Sequence, residues 1–511
     1  MPSVSSWLTG IILLPAALAA ADPAAAPAPA GVPDVLPGLE ALRAGRFEEA
    51  RGRFERITAS NAAAPEGPFF EAFQLWWRLL ELSADDQSKE LRLKMEERLK
   101  EAALRARALA VRDEGGAKER GLVFTGIAMF LEAESKVARG APFAAASSVR
   151  QGHRALSQAL ELNPASADAL FALGTYNYYA DHVSLLVKGL RFVLFIPGGD
   201  ERKGIEQLES AAARSRLFGT ESLLLLAHIF SGSYAQDYRR ALGYLETASA
   251  RHPSSPLLAL IQADLEFRVG RLNASTSRAE SALEMVRAGP GYMEELEWLA
   301  AYRVASCAYA RHDPLGALER IETSLERIPP RSPLARKRWI YLLGSVAREA
   351  GATGVAERWI PRLELTPEEA ESLRRRMRDE GPAEIAPARA AALRALASGL
   401  RDEARRRLEE MLSRHPLDAR LHYDLGRLLQ TQGRLEEARP HLRAALAGAS
   451  GPQEVDIEGR AMLRLGWDLE RGGHRSEAID LYRRAADLKS FVFRDAARDL
   501  IEHPAVDQPE G

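Results

Sequence analysis

The sequence Gly-Arg-Leu-Glu-Glu-Ala at residues 433–438 lies between two amphipathic segments, and similar stretches recur along the chain. They read Gly-Arg-Phe-Glu-Glu-Ala at 45–50, Gly-Leu-Arg-Asp-Glu-Ala at 399–404 and Gly-His-Arg-Ser-Glu-Ala at 473–478. We interpret each stretch as the turn between two helices. A helix-turn-helix unit that recurs at a nearly fixed spacing predicts a solenoid, in which each unit packs only on its neighbours.

The residues around this turn also have a regular spacing. Leu425-Gly426 precedes the turn, and Ala438, Leu442 and Ala445 follow it. Small residues at Gly426 and Ala438 allow two antiparallel helices to approach closely, and Leu442 is expected to fill the space where the next unit packs. The same pattern is formed by Leu465-Gly466, Ala478, Tyr482 and Ala485, and Ala404, Leu408 and Met411 precede their counterparts by 34 residues.

This pattern and its period resemble the tetratricopeptide repeat (TPR). The resemblance implies an all-α fold, a right-handed superhelical α-solenoid of TPR-like helix-turn-helix repeats. It is strong at 384–488 and weak at 60–140, where Phe69-Phe70 and Trp76-Trp77 predict a packed aromatic cluster. A weaker copy combines Leu343-Gly344 with Ala356. Alternating β-branched runs bounded by turn residues, which would indicate strands, do not occur.

The pattern also predicts the organisation of the chain, with roughly ten or eleven helix pairs between 38 and 488. We predict a signal peptide at 1–21, an Ala/Pro-rich linker at 22–37, degenerate TPR-like helices at 38–164, TPR-like repeats at 165–330, TPR repeats at 331–489, and a capping helix with a tail at 490–511.

The N-terminal segment resembles a secretory signal peptide. An apolar run extends from Trp7 to about Ala21 and ends in small residues, although no Lys or Arg precedes it. We therefore expect an exported protein, periplasmic or secreted, that can associate with the cell envelope.

The period fails once, at an apolar insert near 180–200. The insert contains a run at 184–196 and closes with Pro197-Gly198-Gly199-Asp200, in which Asp200 is predicted to cap the next helix. The segment resembles one found in exported bacterial TPR proteins. Two interpretations are open: the run folds back into the solenoid, or it contacts a membrane or a partner.

Composition and motifs give no sign of catalysis. The chain has 511 residues, a net charge of −2 and one cysteine, Cys307, so neither a disulfide within the chain nor a cysteine metal site is expected. Gly198–Gly204 lacks the pattern of a phosphate-binding loop, and nucleophile-elbow and zinc-protease motifs do not occur. We expect no enzyme activity, cofactor, metal site or nucleic-acid partner.

The TPR resemblance also implies where a partner would bind, because the first helix of each pair lines the groove of a TPR array. Arg and Tyr are common interface anchors, and Arg suits carboxylates. We predict a protein or peptide partner with an acidic or C-terminal segment, unless Glu or Asp of the same chain pairs with these arginines. The predicted groove residues are Arg338, Tyr341, Arg348, Arg420, Tyr423, Arg427 and Trp467.

The sequence thus predicts a non-enzymatic protein–protein interaction scaffold in the cell envelope. The alternative is a ligand- or lipid-binding TPR accessory or sensor subunit that uses the apolar insert.

Overall fold

A computed structural model describes residues 32–81, 86–112, 116–182, 196–327, 333–352, 354–378, 384–449 and 454–504. The predicted signal peptide, most of the linker, nearly all of the apolar run at 184–196 and the end of the C-terminal tail lie outside these residues. The chain forms two compact units. Unit 1 comprises residues up to 262 together with 288–293, and unit 2 comprises 263–287 together with 294 onwards.

The described residues form 24 helices and contain no strand, which confirms the all-α solenoid of TPR-like helix pairs. None of these helices has the length and apolar character needed to cross a membrane. The first twelve described helices are α1 (Leu36–Arg43), α2 (Phe47–Ser60), α3 (Glu66–Glu81), α4 (Asp86–Ala110), α5 (Ala117–Ala138), α6 (Pro142–Leu162), α7 (Ala167–Asp181), α8 (Glu201–Arg214), α9 (Gly219–Ser231), α10 (Tyr238–Arg251), α11 (Pro256–Arg268) and α12 (Leu272–Ala288). The remaining helices are α13 (Glu294–Ala310), α14 (Pro314–Arg327), α15 (Pro333–Glu349), α16 (Val355–Arg362), α17 (Pro367–Met377), α18 (Ile385–Ala397), α19 (Arg401–Arg414), α20 (Ala419–Thr431), α21 (Leu435–Gly448), α22 (Val455–Arg471), α23 (Arg475–Asp487) and α24 (Arg494–Glu502).

The recurring turn ends its first helix in the same way each time. At Gly433 the backbone φ is +74°, a left-handed conformation that glycine adopts without steric cost. The Gly433 N–H donates to Gln430 O at 2.9 Å, and the Arg434 N–H donates to Leu429 O at 2.9 Å. These are the two hydrogen bonds of a Schellman motif, which satisfies carbonyls at a helix end. Gly45, Gly399 and Gly473 have φ values of +82°, +76° and +81° and the same pair of bonds.

Close approach of paired helices depends on the glycine of the first helix. A Cβ at Gly426 would lie 2.8 Å from Leu442 Cγ, and one at Gly466 would overlap the Tyr482 ring. Leu442 also belongs to a buried cluster that includes Ile457 of α22, so this core extends from the helix pair to the next helix. Asp200 caps α8 as predicted, because its carboxylate accepts a hydrogen bond from the Lys203 N–H at 3.0 Å.

Unit 1 contains the aromatic cluster predicted at 69–77. The Phe69 ring lies 5.0 Å from that of Phe124 and 6.2 Å from that of Phe218, measured between centroids. An ion pair also joins distant helices of this unit, since Arg43 Nη2 lies 2.8 Å from Glu221 Oε2 and both side chains are buried.

Unit 2 departs from the predicted repeat at Leu343-Gly344 and Ala356. Ala356 lies in α16, which has eight residues and contains Pro361. A proline inside a helix removes a backbone donor and favours termination. Thr366 then starts α17 with a capping box, and Gly344 faces Leu373 and Arg376 of α17. Two short helices therefore replace the single second helix of the predicted pair.

Candidate partner-binding site

The predicted groove residues all lie in unit 2 but differ in exposure. Arg338 and Tyr341, on α15, are exposed. Arg348, Arg420 and Arg427 are partly buried. Tyr423 and Trp467 are buried. The structure therefore does not bring the seven residues onto one open surface, and their role in binding stays a prediction.

The exposed residues form a basic face on two neighbouring helices. Tyr341 is 50% exposed, and the guanidinium of Arg376 on α17 lies 3.9 Å from the centroid of its ring. Lys337 and Arg338 lie one helical turn from Tyr341, on the same side of α15. We define the basic face as Lys337, Arg338, Tyr341, Arg375 and Arg376.

The charges of the basic face are not neutralised within the described part of the chain. Neighbouring arginines are paired: Arg336 Nε lies 3.4 Å from Glu369 Oε1, and Arg374 Nε lies 3.1 Å from Glu357 Oε1. By contrast, the four cations of the basic face form no ion pair with any described residue. The face therefore presents several guanidinium donors and one aromatic ring to solvent.

The interior residues contact a turn of the same unit. Arg460 Nη1 donates to Ala310 O at 2.6 Å and to His312 Nε2 at 3.1 Å. Tyr423 Oη lies 3.1 Å from the same His312 nitrogen and accepts from Arg464 Nε at 3.0 Å. Because His312 Nε2 accepts from Arg460, it carries no proton. Burial, followed by Arg460 and other arginines, holds the pKa of His312 well below its ordinary value.

Two carboxylates connect the interior arginines. Arg389 Nη1 donates to Glu349 Oε2 at 2.7 Å, and the same guanidinium holds both oxygens of Asp424. Burial raises the pKa of Glu349, but Arg389 with Arg348 and Arg420 lowers it below its ordinary value. Glu349 therefore stays ionised inside the unit.

Some predicted groove arginines have partners within the chain. Arg348 Nη2 lies 4.0 Å from Glu349 Oε1, and Arg420 Nη2 lies 3.5 Å from Asp418 Oδ2. This is the intrachain pairing that the sequence left open. Arg427 differs, because its Nη1 donates only to the backbone carbonyl of Arg311, at 3.3 Å. The buried Trp467 lies 5.1 Å below the guanidinium of Arg471.

Sequence reasoning missed several members of this interior, among them His312, Arg389 and Asp424. Arg389 precedes Tyr423 by one 34-residue period, so the repeat register was a signal that could have identified it. His312 adopts a φ of +61°, which is uncommon for a residue other than glycine, and no pattern in the sequence indicates this. Within the described ranges, no group of three or more His, Cys, Asp or Glu residues is placed to hold a metal ion.

Comparison with known proteins supports the repeat assignment. Residues 233–292 and 389–454 match a family model described as tetratricopeptide repeat. The first segment includes α10 to α12, and the second includes α19 to α21. No curated protein matches the chain.

The chain is only weakly similar to solved structures, and no property of those proteins is transferred to it. Yeast Tom70 has 12% identity and a TM-score of 0.29, over 88% of this chain and 91% of that one. Human IFIT1, solved as a dimer with PPP-AAAA, has 15% identity and a TM-score of 0.30, over 83% and 92%. A tetratricopeptide repeat protein from Parabacteroides merdae has 16% identity and a TM-score of 0.25, over 55% and 97%. The helix pairs therefore identify this chain as an all-α, TPR-like solenoid, and two of its segments, 233–292 and 389–454, match the tetratricopeptide repeat model.

Proposed function

We propose that this protein is a non-enzymatic scaffold of the cell envelope that binds a protein partner through the basic face. The observation that supports the proposal is the exposed Tyr341 ring beneath Arg376, with neighbouring cations that have no carboxylate partner among the described residues. A TPR-like fold is consistent with a protein–protein interaction scaffold. The partner segment is expected to be acidic, either a run of Asp and Glu or a C-terminal carboxylate.

Arginine and tyrosine suit this role for physical reasons. A guanidinium can donate two parallel hydrogen bonds to one carboxylate, and Arg and Tyr are enriched among residues that dominate binding energy. Lys337, Arg338 and Arg375 are exposed, so salt screens their attraction to a partner. Partner binding is therefore expected to weaken as ionic strength rises.

The experiment that tests this proposal is affinity capture from the native host with a charge-reversed variant. Arg338→Glu/Arg375→Glu should lose a partner that the unmodified chain retains, because two attractive contacts become repulsive. The matched control is Arg394→Glu/Arg443→Glu, which changes the same charge at exposed positions of α18 and α21. If both double variants retain the same partners as the unmodified chain, the basic face is not the docking surface.

Export is part of the proposal and has its own test. The apolar run between Trp7 and Ala21 supports it. Fractionation of the native host should recover the protein outside the cytoplasm, with an N-terminus near residue 22. Recovery in the cytoplasm with Met1 intact would contradict export.

The second candidate function, lipid or apolar-ligand binding, rests on the sequence of the insert. The run at 184–196 is rich in Leu, Val and Phe and carries two basic residues. Deletion of 184–196 should then release the protein from membrane fractions. Unchanged fractionation, with retained folding by circular dichroism, would exclude membrane contact through the insert.

A further inference from the structure

Two histidines face each other across the helix pair α20 and α21. His422 lies in the first turn of α20, and His441 lies in the middle of α21. Their Nδ1 atoms are 3.0 Å apart, and their ring centroids are 5.2 Å apart. The two residues are separated by 19 positions in the sequence and meet because α20 packs against α21, so the sequence pattern does not reveal the pair.

The backbone fixes the tautomer of His422. Its Nε2 lies 2.9 Å from Pro416 O, and a carbonyl oxygen can only accept a hydrogen bond, so Nε2 carries the proton. Nδ1 of the neutral ring therefore holds a lone pair, which accepts a hydrogen bond from His441 Nδ1. Histidines that bind metals commonly donate their other N–H to a backbone carbonyl, because this hydrogen bond orients the ring. His422 thus has the tautomer and the outer hydrogen bond of an Nδ1 ligand.

The spacing of the two Nδ1 atoms suits one metal ion. Imidazole nitrogens lie about 2.0–2.1 Å from a bound transition metal, so two of them are about 2.9 Å apart at a right angle and about 3.3 Å apart at the tetrahedral angle. The observed 3.0 Å lies within this range. A small rotation of each ring would bring both lone pairs onto an ion beside the line that joins the nitrogens. The ion then replaces the proton between the rings, and His441 carries that proton on Nε2, where water can accept it.

The surroundings favour a cation but offer no third protein ligand. Burial and the neighbouring ring lower the pKa of His441, whereas Glu409 on α19 and Glu437 on α21 raise it, so both carboxylates act on this ring. Each carboxylate also pairs with an arginine: Glu409 Oε1 lies 3.3 Å from Arg405 Nη1, and Glu437 Oε2 lies 2.6 Å from Arg434 Nη2. Among the described residues, no further His, Cys, Asp or Glu joins the two histidines as a ligand. Water is therefore expected to fill the remaining coordination positions.

We propose that His422 and His441 together bind one divalent transition-metal ion, with Cu²⁺ bound most tightly. Imidazole suits Cu²⁺, Ni²⁺ and Zn²⁺, and the affinity of a given site rises along the first row to Cu²⁺ and falls at Zn²⁺. A nitrogen spacing near the right-angle value also suits the tetragonal geometry of Cu²⁺. The site shares no residue with the basic face and does not depend on the proposed function. It differs from the sequence-based expectation of no metal site.

Cu²⁺ is the probe that tests the site in the full-length chain. Equilibrium dialysis should show one saturable tight site per chain, with Zn²⁺ competing and Mg²⁺ not competing. His422→Gln and His441→Gln should each weaken binding at least about tenfold, because loss of even an outer hydrogen-bond partner of a ligand costs that much. The matched control is His474→Gln, which makes the same change at a histidine whose side chain is 60% exposed, and it should leave the affinity unchanged.

Electron paramagnetic resonance of the wild-type chain gives a readout that does not depend on a variant. With one equivalent of Cu²⁺, the spectrum should show coupling to two imidazole nitrogens, and a folded His441→Gln chain should show coupling to at most one. A wild-type spectrum with fewer than two imidazole ligands would overturn the proposal even if the variants fail to fold. Equal Cu²⁺ affinity in the wild-type chain and in a His441→Gln chain that is folded by circular dichroism would overturn it as well.

Discussion

At the scale of single residues, Gly466 determines how closely α22 and α23 approach. A Cβ at this position would overlap the Tyr482 ring, which is itself fully buried. The same relation holds between Gly426 and Leu442. Gly466 and Gly426 are therefore needed because a large side chain of the second helix packs against them. Glycine's own helix propensity does not explain its presence, because glycine is a poor helix former.

Gly466→Ala is expected to destabilise the protein by about 1–3 kcal/mol, because the added methyl forces Tyr482 out of a packed site. Gly52→Ala is the matched control, since a Cβ at Gly52 in α2 meets no atom within 4 Å. The control should stabilise the protein by about 0.5–1 kcal/mol, because alanine is the better helix former. Urea unfolding monitored by circular dichroism measures both changes. A destabilising effect of equal size in both variants would contradict this packing account.

His312 gives unit 2 a defined response to acid. Its pKa lies below the ordinary value of 6.5 in the folded state, so the unfolded chain takes up a proton that the folded chain does not. Stability should therefore fall as pH decreases below about 6.5, with a slope of at most about 1.4 kcal/mol per pH unit from this group.

The test compares the unfolding free energy between pH 7 and pH 5 for the wild-type chain and His312→Asn. Asparagine tolerates the left-handed backbone at this position, so the change removes the titrating group without adding backbone strain. The variant should lose less stability on acidification than the wild type. An identical dependence on pH in both chains would show that His312 does not contribute.

At the scale of elements, α24 completes the core of unit 2. Phe493, just before α24, is 2% exposed, and its ring centroid lies 5.5 Å from that of Phe267 at the end of α11. Arg460 lies 4.9 Å above the Phe493 ring. A helix occupies Arg494–Glu502, within the 490–511 segment for which a capping helix is predicted, and the cluster around it includes residues of helices that are distant in sequence.

Phe493→Ala is expected to cost about 3–5 kcal/mol, because it leaves a cavity between α11 and α22. Val492→Ala is the control, since Val492 is 46% exposed and should change stability by no more than about 0.5 kcal/mol. Thermal unfolding of the two variants measures the difference. A similar small effect at both positions would mean that the end helix does not contribute to the core.

Elements set by local chemistry were predictable from the sequence, and elements set by distant contacts were not. The turn at Gly433 follows from one glycine and the apolar spacing around it. The pair at Gly344 and Ala356 was predicted from the same spacing, yet Pro361 and the Thr366 capping box divide the second helix. The repeat register alone does not show that a proline divides the helix that the period predicts.

The same limit applies to the candidate site. The register placed Tyr423 and Trp467 on first helices, but it did not predict that both side chains are buried. His312 and Tyr423 are separated by 111 residues and meet only because unit 2 folds back on its own earlier helices. Periodicity identifies which face of a helix is equivalent between repeats, and it contains no information about contacts between repeats that are distant in sequence.

At the scale of the whole molecule, both compact units use buried ion pairs between sequence-distant residues. Arg43 pairs with Glu221 in unit 1, and Arg389 pairs with Glu349 and Asp424 in unit 2. Removing one member of such a pair leaves a buried charge without a partner, which is costly. The interior arginines are thus engaged largely within the chain, so a scaffold role depends on exposed residues such as those of the basic face.

The central claim is that a partner protein docks on the basic face, and site-specific photocrosslinking in the native host tests it most directly. A p-benzoylphenylalanine residue would replace Tyr341, or, as the control, Leu417, which is 84% exposed before α20. Position 341 should give a light-dependent adduct with one protein, and Arg338→Glu/Arg375→Glu should remove that adduct. An absence of any adduct at 341, or an equal adduct at 417, would contradict the claim.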